Sequence, residues 1–139
     1  MTRATRCLLL LLCVAALAGC SAKADIAAAE RAVEEFRGLM AESHYATIYS
    51  GSAPELQQTA PEADFEKFLD AVNRKLGKVS SVEENGWNVA MLTTGTIVTL
   101  NYKTRYERGD ASEQFVYRLQ EDKAVLVSYA INSMALAMN

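Results

Sequence analysis

Few side chains in this sequence are of a kind and spacing that could do chemistry together. Cys7, Cys13 and Cys20 are its only cysteines, and all three fall within the first twenty residues. After Cys20 neither a disulfide nor a thiolate metal site can form. His44 is the single histidine, so a metal site would have to be built almost wholly from carboxylates. Beside Tyr45 it reads as a surface or helix-start residue, and no metal or cofactor is expected. Gly77, Gly86, Gly95 and Gly109 are isolated glycines at turns, bulges and a helix stop, so no phosphate-cradling loop is formed. Ser80, Ser81, Ser112, Ser128 and Ser133 are scattered, with only the distant His44 as a base, so no nucleophilic set is assembled.

The remaining candidates are aromatic and basic. Tyr102, Tyr106, Tyr117 and Tyr129 share one parity on three consecutive alternating segments, and Glu113 has the parity of Phe115 and Tyr117. Such a group would line a cavity with hydroxyls and a single acid. A tyrosine beside a carboxylic acid is also how enzymes of the ketosteroid isomerase kind stabilise an enolate. The competing reading is packing: cross-strand aromatic pairs stabilise a sheet by about 0.2–1 kcal/mol each, and it ranks ahead of a pocket, with catalysis last. Lys103, Arg105 and Arg118 take the opposite parity, with Asn101 and Gln114. They form either a basic docking patch or, in the favoured reading, a solvated sheet face with cross-strand charge pairs.

The N-terminus carries a different kind of chemistry. Arg3 and Arg6 precede Cys7 to Ala18, a run without charge, which is the layout of a secretory signal peptide. The run is shorter than the roughly 20 apolar residues that span a bilayer. It ends Leu17-Ala18-Gly19-Cys20, which resembles the lipobox of bacterial lipoproteins. That resemblance implies cleavage before Cys20, lipid attachment on its thiol and acylation of the new amine. Small Ala18 and Gly19 suit the peptidase, and the Cys20 thiol is the nucleophile. Ser21 in place of Asp implies, within that family, sorting to the periplasmic face of the outer membrane. Without Arg3 and Arg6 the 14 basic residues fall to 12 against 17 acidic ones, a side-chain charge of -5. Anchoring then rests on the acyl chains, since an acidic surface gains nothing from anionic headgroups.

These groups need elements to position them. The length of 139 residues, 50% hydrophobic and 22% charged, suits one ordinary domain. Residues 1–19 are expected to be signal, 20–25 the lipidated cysteine and a polar tether, and 26–139 a single domain. From Ala24 to about Glu42, Ile26, Ala29, Val33, Phe36 and Met40 recur at helical spacing, with Glu30, Arg31, Glu34, Glu35 and Arg37 on the opposite side. A short turn holds Tyr45, Ile48 and Tyr49, Gly51-Ser52-Ala53-Pro54 breaks it, and Ser52 with Glu55 caps another. Thr59, Pro61 and Glu62 read as a capping-box start for a helix over 60–76. Its stripe is Phe65, Phe68, Leu69, Val72 and Leu76, with Phe68 expected to be buried mid-stripe. Arg74 and Lys75 suit its C-terminal end, and Gly77 stops it.

After Gly77 the period changes to two. Segments over Val79 to Leu92, Val98 to Tyr106, Phe115 to Leu119 and Val125 to Ile131 are separated by turns at Thr94-Gly95, Gly109-Asp110 and Glu121-Lys123. They predict a four-stranded antiparallel meander. Asn85-Gly86 is either a hairpin turn dividing the first strand or a bulge within it. Helices followed by four strands make an α+β domain with helices packed on one sheet face. The C-terminal pattern, Val98 to Tyr106, Glu113 to Leu119 and Ala130 to Ser133, resembles small bacterial lipoproteins with a cystatin-like or nuclear transport factor 2-like domain, a curved sheet around a helix. That resemblance carries no catalytic signature.

A sequence pI near 5.2 argues against a nucleic-acid partner, which would need a surplus of Lys and Arg. The leading expectation is a lipid-anchored cell-envelope domain that binds a protein partner or a small apolar ligand without catalysis. A small enzyme of isomerase or hydratase type using the cone is the alternative, and a purely structural envelope lipoprotein the third.

Overall fold

The structure is a computed structural model that describes residues 3–121 and 123–138, with side chains from Ser21 onward. Helices α1 (Arg3–Ala41), α2 (Tyr45–Ser50), α3 (Pro54–Thr59) and α4 (Glu62–Leu76) precede strands β1 (Val79–Leu92), β2 (Gly95–Tyr106), β3 (Gly109–Gln120) and β4 (Lys123–Asn132). A last turn, α5 (Met134–Ala137), follows. The strands pair antiparallel in the order β1-β2-β3-β4, forming a curved open sheet with the helices on one face. The α+β class expected from the period change is therefore the fold observed. Among the described residues no helix is long and apolar enough to cross a membrane.

The first helix is longer than its apolar stripe suggested. Ser21 to Asp25, expected as a tether, is helical and continuous with the rest of α1. The Cys20 side chain lies outside the described residues. Ala29, Val33 and Phe36 are buried, as the stripe required. On α4 the buried set is Phe65, Leu69, Val72 and Leu76, whereas Phe68 is 39% exposed. Phe68 lies at the flank of the stripe, its ring 6.1 Å from that of Tyr129, so the expectation that it is buried mid-stripe is corrected.

Both expected side-chain caps are absent where they were placed. Pro61 stands at the N-cap of α4 with no side-chain cap bond. The Thr59 hydroxyl instead donates back to the Leu56 and Glu55 carbonyls, 2.9 and 3.1 Å away. Ser52 likewise closes the preceding helix, donating to the Tyr49 carbonyl at 2.6 Å. Hydroxyl side chains at a helix junction have two sets of backbone partners, and here the carbonyls at the C-terminal end win. Gly77 does stop α4: its φ is +76°, and a Cβ there would strike the Glu107 carboxylate.

Asn85-Gly86 proves to be a bulge. Glu84 pairs with Tyr102 and Trp87 with Leu100, so the register shifts across the two residues while the strand continues. Gly86 takes φ +104° there, a value that suits glycine. A second shift falls between Val79 and Ser81. The other sheet edge is partly covered, since the Ala53 N–H donates to the Leu126 carbonyl at 2.8 Å and α3 lies along β4.

The interior is split in two. The larger apolar cluster gathers Val33, Phe36, Leu69, Leu100 and Phe115 with their neighbours. The smaller one holds Val72, Leu76, Tyr106 and Ala111. Between Tyr102 and Tyr106 on β2 stands Thr104, and between Ala111 and Phe115 on β3 stands Glu113, both buried. A polar layer thus crosses the core.

Candidate functional site

The register of three strands decides what Glu113 meets. Glu113 faces the helices on β3, Thr104 and Tyr106 do so on β2, and Tyr129 does so on β4. The Glu113 side chain is 1% exposed. Tyr106 and Tyr129 each donate from Oη to its Oε1 at 2.7 Å. The Thr104 hydroxyl donates to Oε2 at 2.5 Å, and Arg37 Nη2 donates to the same oxygen at 2.9 Å. A carboxylate offers about four lone-pair sites, so every one of them is taken.

The helical period predicts Arg37 on the solvent side of α1, and the structure corrects this. Its side chain is 12% exposed and turned onto the sheet. The guanidinium carbon lies 5.5 Å from the Tyr102 ring centroid and 5.6 Å from that of Phe115, within cation–π range. Its Nε is buried without a hydrogen-bond partner, so the rings and Glu113 hold the cation between them. Arg37 follows Phe36 and stands four residues after Val33, at the border of the buried stripe. The signal available was that border position, and a long cation there can reach either way.

Burial and charge act on the groups in opposite senses. Burial pulls the Arg37 guanidinium down, but the Glu113 carboxylate beside it outweighs this and the net direction is up. Burial, reinforced by Glu113, pushes the Tyr106 and Tyr129 phenols above their ordinary range. Tyr117 is raised chiefly by burial. Tyr102 is pushed up to about 12, by burial first and then by Glu30 and Glu84. Each phenol stays a neutral donor through physiological pH.

Of the five residues weighed as packing or as a pocket lining, Tyr106, Glu113 and Tyr129 come together. Tyr102 serves as a platform for Arg37. Tyr117 stacks on Phe115 with ring centroids 6.4 Å apart and lies in the apolar cluster, away from the carboxylate. The three converging residues form one end of a cavity of about 470 Å³ between α1, α4 and the start of β1. Phe36, Met40, Val72 and Val79 supply its apolar wall, and Asn73 and Lys78 stand at its rim. Asn73 is fixed there, donating to the Tyr45 hydroxyl at 2.9 Å and the Met40 carbonyl at 3.2 Å. Lys78 is exposed. A volume of this order suits a small organic molecule.

Lys103, Arg105 and Arg118, offered as a docking patch or as a solvated sheet face, each stand beside an acidic side chain. Arg105 pairs with Asp110 at 3.3 Å and Arg118 with Glu55 at 2.5 Å, while Lys103 stands directly across the strands from Glu83. Acidic neighbours interleave the three cations, as on a solvated sheet face. His44 is exposed, its Nδ1 3.1 Å from a Glu42 carboxylate oxygen. Among the described residues no three His, Cys, Asp or Glu side chains gather as a metal site.

No protein-family model and no curated protein matches the chain. Acid–base catalysis of the isomerase or hydratase kind needs a carboxyl group with an oxygen free to meet substrate. Glu113 has both oxygens occupied by protein donors. What the arrangement can do is hold a rigid, polar cavity end against an apolar wall.

Proposed function

We propose that this chain is a lipid-anchored envelope domain, tethered through Cys20, that binds a small, largely apolar molecule. The observation that carries the reading is the cavity beside Glu113. One wall is aliphatic and aromatic, from Phe36, Met40, Val72 and Val79. The opposite end is a carboxylate whose four acceptor positions are filled. Such an end is fixed in orientation, so it presents a rigid polar surface to a ligand. The exposed Lys78 at the rim favours a ligand with an acidic head and an aliphatic body.

Decanoate titrated calorimetrically into the chain from Ser21 onward tests this. Every residue of the two apolar clusters lies beyond Ser21, so that form keeps the whole core. Saturable binding is expected, and Val79→Trp, at the cavity mouth, should weaken it about tenfold or more, equivalent to about 1.4 kcal/mol. Absence of saturable binding, or equal binding by the Trp variant, would overturn the ligand reading. The anchor has its own test: Cys20→Ala should abolish incorporation of labelled fatty acid and leave the chain unprocessed.

A further inference from the structure

We infer that the tip of the β1–β2 hairpin is a second membrane contact, dipping into the headgroup layer beside the acylated Cys20. The inference rests on the anchoring reading above and adds a surface to it. Three observations lead there: the exposure of the tip, its lack of charge, and its level relative to Cys20.

Trp87 is 55% exposed, Met91 65% and Leu92 57%. Trp87 and Met91 pair across from Leu100 and Thr96 on the helix-facing side, whereas Leu92, one residue on, points to the other side. Apolar side chains therefore emerge on both faces of the hairpin. From Asn85 to Tyr102 no residue carries a charge. A flat protein partner would cover one face of a strand and leave the other wet. A lipid interface surrounds the whole tip, with Met91 and Leu92 at its end and Trp87 about 16 Å behind Leu92 along the strand.

The direction of α1 brings the lipid to the same place. Ala41 lines one cavity with Val79, and Glu30 lines another with Glu84. Eleven helical residues, about 16 Å, thus run opposite five strand residues that include one bulge, about 13 Å at the usual rise. The helix and β1 are antiparallel, and the N-terminal end of α1 lies at the hairpin end of the sheet. From Glu30 back to Cys20 the helix covers about 15 Å. From Glu84 to Leu92, less one bulged residue, the strand covers about 23 Å. The tip therefore projects about 8 Å past the acylated residue, comparable to the 5–10 Å by which interfacial apolar groups sink.

Trp87→Phe with Leu92→Trp moves the only tryptophan of the sequence to the end of the hairpin, where its fluorescence reports on the tip. The test uses the full acylated chain in phosphatidylcholine vesicles, with flotation to score anchoring and lipids brominated high on the acyl chain to score the tip. The expected result is co-flotation, blue-shifted emission from that tryptophan, and loss of the emission in brominated vesicles. Adding Met91→Asp and Thr93→Asp, both at exposed positions, should abolish the quenching while the chain still floats and its far-ultraviolet circular dichroism is unchanged. Flotation without quenching would overturn the inference and leave the anchor standing. Blue-shifted emission insensitive to brominated lipid would place the tip against a second copy of the chain and overturn it equally. Failure to float would overturn the anchoring reading and the inference with it.

Discussion

Glu113 on β3 and Trp87 on β1 are two residues of one sheet whose side chains both face the helices, yet their surroundings are opposite. Glu113 is a charged group with no exposed surface to speak of and four protein donors. Trp87 is the largest apolar side chain in the sequence and is more than half exposed. The helices account for the inversion. Helix α1 lies over β2, β3 and β4, so whatever β3 presents is sealed, while β1 extends past the cover. Parity along a strand says which face a residue takes. Only the width of the helical layer says whether that face is dry.

The sealed region is where substitution should do most harm. Glu113→Leu leaves the Arg37 cation and three hydroxyls without their acceptor. Breaking one member of a buried ion pair costs about 3–5 kcal/mol, a large part of the stability of a domain this size. Urea denaturation should show that loss, and pairing it with Arg37→Leu should recover much of it. If the double variant were as unstable as the sum of the singles, the two groups would not be acting as a unit.

A second contrast runs along α4. Leu69 is fully buried and Phe68 is 39% exposed, although both fall within the same apolar stripe. Leu69→Ala should cost about 2–5 kcal/mol, whereas Phe68→Ala should cost about 1 kcal/mol. Similar melting temperatures for the two would mean that the helix is rotated from the position described.

Alkaline pH should strain the sealed region selectively. Tyr102, Tyr106, Tyr117 and Tyr129 are all raised above the ordinary phenol value, each mainly by burial. The folded chain holds these protons where the unfolded chain, titrating near 10, gives them up. Stability is therefore intact below about pH 10 and falls as the pH climbs through the raised values, Tyr102 ionising at about 12. Absorbance at the tyrosinate band should rise cooperatively with loss of structure above that point. A smooth, non-cooperative rise that begins near pH 10 and accounts for all six tyrosines would show the four phenols to be open to solvent.

The smallest effect belongs to the edge. In aqueous solution Trp87→Ser should change stability by about 0.5 kcal/mol or less, since the residue gives up little burial on unfolding. A cost comparable to that of Leu69→Ala would remove the contrast between edge and centre.

Much of the fold was legible in residue order. The change of period at Gly77, the turn residues at Gly95 and Gly109, and the alternation around Tyr102 and Tyr117 are local signals that strand geometry obeys without help. The site was half legible. Tyr106, Glu113 and Tyr129 share a parity, and their convergence followed once adjacent strands came into register. Arg37 and the caps were not, for one reason: each is a side chain with two competing environments. Arg37 could reach water or Glu113, and Thr59 could serve the helix before it or the one after. Propensity weighs neither choice.

The amino-acid order alone determined the α+β class, the four-stranded meander, the stripe of α1 and the absence of cysteines after Cys20, because these depend on spacing along the chain. The tertiary structure alone decided that Arg37 turns inward, that Glu113 is saturated, that Asn85-Gly86 is a bulge, and that Trp87 stays in the open. Each of these depends on which distant element lies within a few ångströms. Hydrogen-bond reach and burial are properties of that proximity, and sequence distance does not encode them.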